Sequence, residues 1–166
     1  MMLSRHLHSQ NRVVVRDVKS ARDILSFGFR HGQLFVMIRS SDDTMRLFSG
    51  KRILVFEDGF LLSEEAGACL TKAGAVVLGP VNTAYQALYY LERERVDAVV
   101  MDVTLEPEAV LPVVAELEQS AIPFIFALSD NPILDSLGFA GFVLSARHRD
   151  LSTIAEALFL HRNVEH

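Results

Sequence analysis

The sequence has almost no cysteine and no long apolar run, and both absences narrow the classes of protein to which it can belong. Its 166 residues include one cysteine, Cys69, so we expect no internal disulfide framework and a reducing cytoplasm as its compartment. No stretch reaches the roughly eighteen apolar residues that a membrane-spanning helix needs. Residues 1–17 hold no apolar core of signal-peptide length. We therefore expect a cytoplasmic protein without a membrane partner.

The charge is spread unevenly along the chain. Residues 1–50 carry a net charge of +4 and residues 51–166 one of −9, which together give the −5 of the whole chain. A strongly acidic globular part argues against nucleic acid as its direct ligand. The change in composition near residue 50 predicts an N-terminal extension over 1–50 and one domain over 51–166.

The extension has three interpretations. The segments "RVVVRDV" (12–18) and "QLFVMIRS" (33–40) are typical of two strands, and they could form a hairpin packed on the domain or on a second copy of the chain. This keeps a homodimer open. Alternatively the extension is disordered, or Met45 is the true start, since "MRLFSGKRILVFED" is a normal domain beginning. The strand pattern is complete from Lys51, so we expect residues 1–44 to be removable without unfolding the domain.

Short apolar strands alternate with helical patterns from residue 51 onward. The predicted strands are "RILVF" (52–56), "AVVLG" (75–79), "VDAVVM" (96–101), "PFIFAL" (123–128) and "GFVLS" (141–145). Thr83 can cap the second helix, and Pro112 is tolerable only near the first turn of the third. Residues 131–138 leave room for only a short helix. Strands that are apolar on both faces predict an α/β fold with a doubly wound, five-stranded parallel sheet.

Acidic and hydroxyl side chains stand at the ends of three predicted strands. These groups are Glu57 with Asp58, then Asp102, then Ser129 with Asp130. In parallel sheets the working site lies beyond the carboxyl ends of the strands, so we expect these carboxylates to cluster there. Clustered carboxylates repel one another when all of them are ionised, and a hard cation such as Mg²⁺ reduces this repulsion. One carboxylate could then attack phosphorus.

Several of these segments resemble one known family. "KRILVFEDGFLLSEEAGACL", "AVVLGPVNTAYQAL" and "VDAVVMDVTL" resemble the receiver domain of bacterial two-component response regulators, over about residues 51–160. "IPFIFALSD" is similar to the FAT GUY subfamily of single-domain receivers, whose fourth strand ends in Phe-Ala-Thr-Gly. The resemblance implies the flavodoxin-like fold of CheY-like receivers.

The resemblance also implies a function and a site. Asp102 would accept phosphate from a histidine kinase or a histidine phosphotransfer protein, and a downstream protein target would respond. Mg²⁺ would be held by Glu57, Asp58 and Asp102, with the backbone carbonyl of Thr104 completing the set. A receiver of this kind is a signalling protein and not an enzyme.

The chain departs from the family at the positions that sense the phosphoryl group. The Thr or Ser that ends the fourth strand falls on Leu128, and the adjacent Ser129 could replace it only with a local distortion. The Lys that ends the fifth strand falls on Ser145. The following proline is Ala146, so we expect a trans peptide bond there. The pivoting aromatic is present as Phe142. These departures predict phosphorylation with weak conformational switching.

Three functions therefore remain open. The first is a phospho-accepting receiver without an output domain, because the chain ends at the last helix. The second is a pseudo-receiver whose protein interactions do not depend on phosphorylation. The third is a small phosphohydrolase with Asp102 as nucleophile, which the sequence favours least because Thr104 stands where such enzymes carry a second aspartate. The intact mass after incubation with a phosphodonor and Mg²⁺ separates the first two.

Overall fold

The structure is a computed structural model, and it describes residues 24–30, 33–38, 40–133 and 139–160. Contacts divide the chain into two units between Ser40 and Ser41. The first unit contains an antiparallel hairpin of β1 (Ile24–Arg30) and β2 (Gln33–Ile38). The predicted strand at 33–40 is thus present, but it pairs with residues 24–30. The segment 12–18 lies outside the described residues.

The second unit alternates strands and helices. Its elements in chain order are α1 (Ser41–Met45), a 3-10 helix (Arg46–Phe48), β3 (Arg52–Phe56), α2 (Glu64–Lys72), β4 (Val76–Val81), α3 (Ala84–Arg93), β5 (Ala98–Asp102), α4 (Pro107–Gln119), β6 (Phe124–Ser129), β7 (Phe142–Leu144) and α5 (His148–Phe159). In the part of the chain that the structure describes, no helix is long and apolar enough to cross a membrane.

The five strands β3 to β7 form one parallel sheet in the order β4-β3-β5-β6-β7. This confirms the predicted doubly wound sheet. Side chains alternate between its two faces, because successive residues of a strand point in opposite directions. Ile53 and Val55 pack with α2 and α5, whereas Leu54 and Phe56 pack with α3 and α4. Both faces are covered, which explains the continuous apolar runs of the sequence.

Helix starts were only partly predictable. The hydroxyl of Thr83 accepts the N–H of Gln86 at 3.2 Å, as predicted for a helix cap. Ser63 caps α2 in the same way through Ala66, at 3.1 Å, and the sequence analysis did not identify it. The expectation for Pro112 was wrong. Because α4 begins at Pro107, Pro112 lies beyond the first turn, on an exposed part of the helix.

The short α1 and the 3-10 helix pack against α5. Thr44 and Phe48 are buried. The Thr44 hydroxyl donates to Glu156 Oε1 at 3.4 Å, and the Phe48 ring meets the Phe159 ring edge-on with centroids 6.0 Å apart. Residues 41–50 thus share the core of the second unit, which begins at Ser41 and not near residue 50 as the charge pattern suggested. Of the predicted short helix at 131–138, residues 134–138 lie outside the described part.

An ionic cluster ties β3 to β5 at the amino-terminal edge of the sheet. Asp97 Oδ2 accepts the Arg52 N–H at 2.8 Å, and Asp97 Oδ1 pairs with the Arg95 guanidinium at 3.0 Å. Burial by itself would raise the pKa of Asp97 above its ordinary value. Hydrogen bonds from Arg52 and Arg95, together with the charges of Arg95 and Lys51, outweigh burial and lower the pKa of Asp97 below its ordinary value.

Replacement of Asp97 should therefore make stability less dependent on pH. A carboxyl group with a lowered pKa in the folded state stabilises the fold above its unfolded pKa of about 3.9, and this contribution disappears as the pH falls through the folded value. We expect Asp97→Asn to lower the free energy of unfolding by about 1–2 kcal/mol at pH 7. The difference from the parent protein should shrink below about pH 4. Urea unfolding at several pH values measures both, and a constant difference would contradict the ionic explanation.

Truncation should distinguish Ser41 from Met45 as the start of the folded unit. A chain that begins at Ser41 keeps all described contacts of α1 and should match the stability of the full chain. A chain that begins at Met45 loses the buried Thr44 and its bond to Glu156, and we expect it to be less stable by about 1–2 kcal/mol. Thermal and urea unfolding of both chains provide the measurement. Equal stability would show that α1 contributes nothing.

Candidate functional site

The candidate site lies at the carboxyl-terminal edge of the sheet. Asp102 is the last residue of β5, the central strand, and pairs with Ala127 of β6. Glu57 directly follows β3, the neighbour of β5 on the other side. This edge is where a parallel sheet leaves a crevice between its strand ends.

Asp102 has one carboxylate oxygen held by the protein and one open to solvent. Its side chain is largely buried, with the residue 8% exposed. Thr104 donates its N–H at 2.8 Å and its hydroxyl at 2.7 Å, both to Oδ1. No described residue donates to Oδ2. Because every buried side-chain N or O atom of the described residues has a partner, Oδ2 must reach solvent. The side chain is thus oriented with one oxygen available as a nucleophile.

Glu57 is turned towards the loop that precedes α2. It is 3% exposed, and its Oε2 accepts the N–H groups of Leu61 and, at 3.0 Å, of Leu62. Its own N–H donates to the carbonyl oxygen of Val81 at 2.9 Å. By contrast, Asp58 is exposed.

A bulge in β4 positions the Val81 carbonyl that anchors Glu57. The register of β3 with β4 shifts between Leu54 and Phe56, so that Phe56 pairs with Val81. Gly79 has φ +85° there, and a Cβ atom would lie 2.8 Å from the Val81 nitrogen and 3.0 Å from the Val55 oxygen. Only glycine fits this position without displacement of the backbone. The bulge therefore contributes to the placement of the acidic pair.

Glu57, Asp58 and Asp102 supply the oxygen ligands that suit Mg²⁺, but their side chains do not form one cluster. Oxygen ligands are those that Mg²⁺ prefers. Among the described residues, however, no three His, Cys, Asp or Glu side chains are grouped closely enough to hold a metal ion. The expected cluster of Glu57, Asp58 and Asp102 is thus not assembled in this structure. Glu57 is engaged with backbone amides instead, because the loop before α2 offers it two N–H donors.

Leu128 and Ser129, the two β6 positions that the resemblance identified, lie on opposite faces of the sheet. Ala127 pairs with Asp102 and belongs to the core layer of α2 and α5. Ser129 lies two residues further along the strand, so the alternation of side chains places it on the same face, and Leu128 on the other. Both are half-buried. The Ser129 hydroxyl is therefore on the face that Asp102 shares, so the expectation that this would require a local distortion was wrong.

The replaced position on the last strand is occupied by a buried, fully engaged serine. Ser145 is 1% exposed and donates its hydroxyl to Asp150 Oδ2 at 2.7 Å. The Ser145–Ala146 bond is trans as predicted, since the cis bond found among the described residues is Gly79–Pro80. Phe142 pairs with Ala127 and is half-buried against the core of α2 and α5.

One cation at this edge was not predicted from the sequence. Arg147, which directly precedes α5, donates from Nε to Asp150 Oδ2 at 2.7 Å and from its terminal nitrogen to Asp130 Oδ1 at 3.1 Å. An arginine followed three residues later by an aspartate in the first turn of a helix was the available local signal. The partner Asp130, on another strand end, could not be assigned from the sequence.

Solved structures of response regulators resemble this fold. SdrG from Pseudomonas melonis Fr1, in its BeF3-activated conformation, is 26% identical with a TM-score of 0.50, and the match covers 66% of this chain and 97% of SdrG. PhyR from Brucella abortus is 23% identical with a TM-score of 0.51, over 72% of this chain and 53% of PhyR. A PhyR stress response regulator is 19% identical with a TM-score of 0.54, over 74% of this chain and 50% of its own length.

These likenesses establish the fold. The chain spans about half the length of the two PhyR proteins and nearly all of SdrG. No protein-family model matches the sequence, and neither does any curated protein. The five-stranded sheet and its covering helices form the fold of response-regulator receiver domains.

The orientation of Asp102 should depend on the Thr104 hydroxyl. We expect Thr104→Val to lower the free energy of unfolding by about 1 kcal/mol, because it removes one of two hydrogen bonds to the carboxylate. Thr104→Ser keeps the hydroxyl and should stay within about 0.5 kcal/mol of the parent protein. Urea unfolding at neutral pH provides the comparison. A loss in Thr104→Ser as large as that in Thr104→Val would show that the methyl contacts contribute as much as the hydroxyl, and no loss in Thr104→Val would contradict the role of the hydroxyl.

Proposed function

We propose that this chain is a receiver that accepts a phosphoryl group on Asp102 from the phosphohistidine of a histidine kinase or histidine phosphotransfer protein. The observation that carries the proposal is the state of Asp102. It ends the central strand of a receiver fold, with Oδ1 held by Thr104 and Oδ2 open to solvent. A fixed carboxylate with one accessible oxygen is suited to nucleophilic attack.

The transfer needs little covalent chemistry from the protein. Oδ2 of Asp102 attacks phosphorus, the N–P bond of the phosphohistidine breaks, and its electron pair returns to the imidazole. The product is an acyl phosphate on Asp102. Mg²⁺ would offset the charge of the phosphoryl oxygens, and Asp58, Asp102 and the Thr104 carbonyl are the members of the expected ligand set that could hold it while Glu57 keeps its bonds to the amides of Leu61 and Leu62. We expect this binding to be weak, because few of the ligands come from the protein.

Two further features support the proposal, one for phosphoryl acceptance and one for a protein as the phosphodonor. SdrG is described in a BeF3-activated conformation, and beryllofluoride on a carboxylate imitates a phosphoryl group. Next to the acidic residues, the side chains of Phe60 and Val103 are 87% and 52% exposed. Exposed apolar groups beside a charged centre provide contact area for a protein partner. We propose that the reaction takes place in the cytoplasm and that a downstream protein responds to the phosphorylated chain.

A pseudo-receiver is the second candidate, and one observation favours it. Ser145 stands where the family has its phosphate-binding lysine, yet its hydroxyl is committed to Asp150. Leu128 offers no donor at the other sensing position. The protein could then bind its target without regard to phosphorylation.

Incubation with acetyl phosphate and Mg²⁺ should distinguish the two functions. We expect the intact mass to rise by one phosphoryl group, and Asp102→Asn to abolish the increase while the protein stays folded. Asp58→Ala should slow the reaction strongly, because it removes an exposed metal ligand and no buried contact. Asp43→Ala is the matched control, since Asp43 is an exposed aspartate of α1 outside the site. An unchanged mass in the parent protein, with circular dichroism showing a folded chain, would favour the pseudo-receiver.

A further inference from the structure

An ion pair links the two strand ends at which the resemblance places the sensing residues. Asp130 lies two residues after Leu128, and Arg147 lies two residues after Ser145. The terminal nitrogen of Arg147 is 3.1 Å from Asp130 Oδ1. The charge that is missing at Ser145 is thus present nearby, on a side chain that already reaches across from the end of β7 to the end of β6.

One part of the Arg147 side chain is firmly anchored. Its Nε donates to Asp150 Oδ2 at 2.7 Å, and the same oxygen accepts the hydroxyl of Ser145. The Arg147 N–H closes the arrangement by donating to Ser145 Oγ at 3.0 Å. The side chain of Asp150 is only 11% exposed. This anchor fixes the guanidinium at the strand ends, from where its terminal nitrogen reaches Asp130.

The bond to Asp130 is the weaker one. The side chains of Arg147 and Asp130 are 36% and 51% exposed, and ion pairs at such exposure contribute little to stability. Asp130 can therefore be exchanged for a stronger anion at small cost. A phosphoryl group carries close to two negative charges and three acceptor oxygens, and it matches the planar guanidinium better than one exposed carboxylate does.

The surroundings make such an exchange favourable. The strand ends already hold Glu57, Asp58, Asp102 and Asp130, so a phosphoryl group on Asp102 would add charge to an acidic edge. A nearby cation offsets that charge. β6, whose end carries Asp130, is hydrogen-bonded to both β5, which ends in Asp102, and β7.

We propose that Arg147 is the cation that binds the phosphoryl group on Asp102, and that it leaves Asp130 to do so. This inference rests on the proposed function. It assigns to Arg147 the role that the family gives to the lysine missing at Ser145. The exchange also supplies a switch, because it removes the ion pair between the end of β6 and the residue that precedes α5. The change would reach the exposed surface that follows β6.

Titration of the full-length, isotope-labelled chain with BeF3 and Mg²⁺ tests the proposal by NMR. In the parent protein we expect the Nε–H signal of Arg147 and the amide signals of Asp130 and Arg147 to shift on titration. Arg147→Gln should weaken the apparent BeF3 affinity about tenfold, as expected for loss of a charge-assisted hydrogen bond. Arg149→Gln is the matched control in the same helical turn and should change the affinity less than about twofold.

Two further variants separate the mechanisms. Asp130→Asn removes the competing carboxylate, so BeF3 should bind at least as tightly as to the parent protein. Arg147→Lys keeps the positive charge but lacks the planar guanidinium with its paired N–H donors, and it should recover part of the BeF3 affinity that Arg147→Gln loses. Should Arg147→Gln fail to fold, the Arg147 signal of the parent protein still decides the question.

The outcomes also separate this inference from the proposed function. BeF3 shifts that require Asp102 but leave the Arg147 Nε–H signal and the Arg147→Gln affinity unchanged would overturn the role of Arg147 alone. Failure of the parent protein to respond to BeF3, together with no mass increase from acetyl phosphate, would overturn both proposals.

Discussion

The central constraint on this molecule is that its inner strands are covered on both faces. β3 and β5 bury alternate side chains against two pairs of helices, so a charged group within either strand would be costly. Carboxylates can therefore appear only where the strands end and the protein meets water. Glu57 and Asp102 stand at those ends, and the geometry of the site follows from the packing of the core.

The same constraint explains what could be predicted from the sequence. Strands buried on both faces give continuous apolar runs, and the predicted five-stranded parallel sheet is correct. Thr83 was predictable because a cap bonds to a residue three positions away. Pro112 was not placed correctly, because the start of α4 depends on Pro107 and on a helix face turned to solvent.

The site residues also differ in whether their positions could be predicted from the sequence. The bond between Asp102 and Thr104 is local, and the placement of Asp102 at a strand end followed from the sequence pattern. The orientation of the Glu57 side chain depends on two amides in the loop before α2, and no sequence pattern predicts this orientation. Arg147 depends on Asp130, which comes from another strand, so its position at the site required the fold. The resemblance predicts that a lysine is missing at Ser145, whereas the structure shows the cation Arg147 at the same edge.

The bulge of β4 has a consequence for self-association. β4 and β7 are the two edges of the sheet, and an edge strand offers unpaired backbone groups to any passing chain. Pro80 has no N–H to offer, and Gly79 with φ +85° interrupts the extended backbone beside it. The other edge, β7, spans only Phe142–Leu144. Neither edge is a good template for an added strand, so the sheet is guarded against growth by backbone pairing, and its contacts with other proteins fall to its helices and loops.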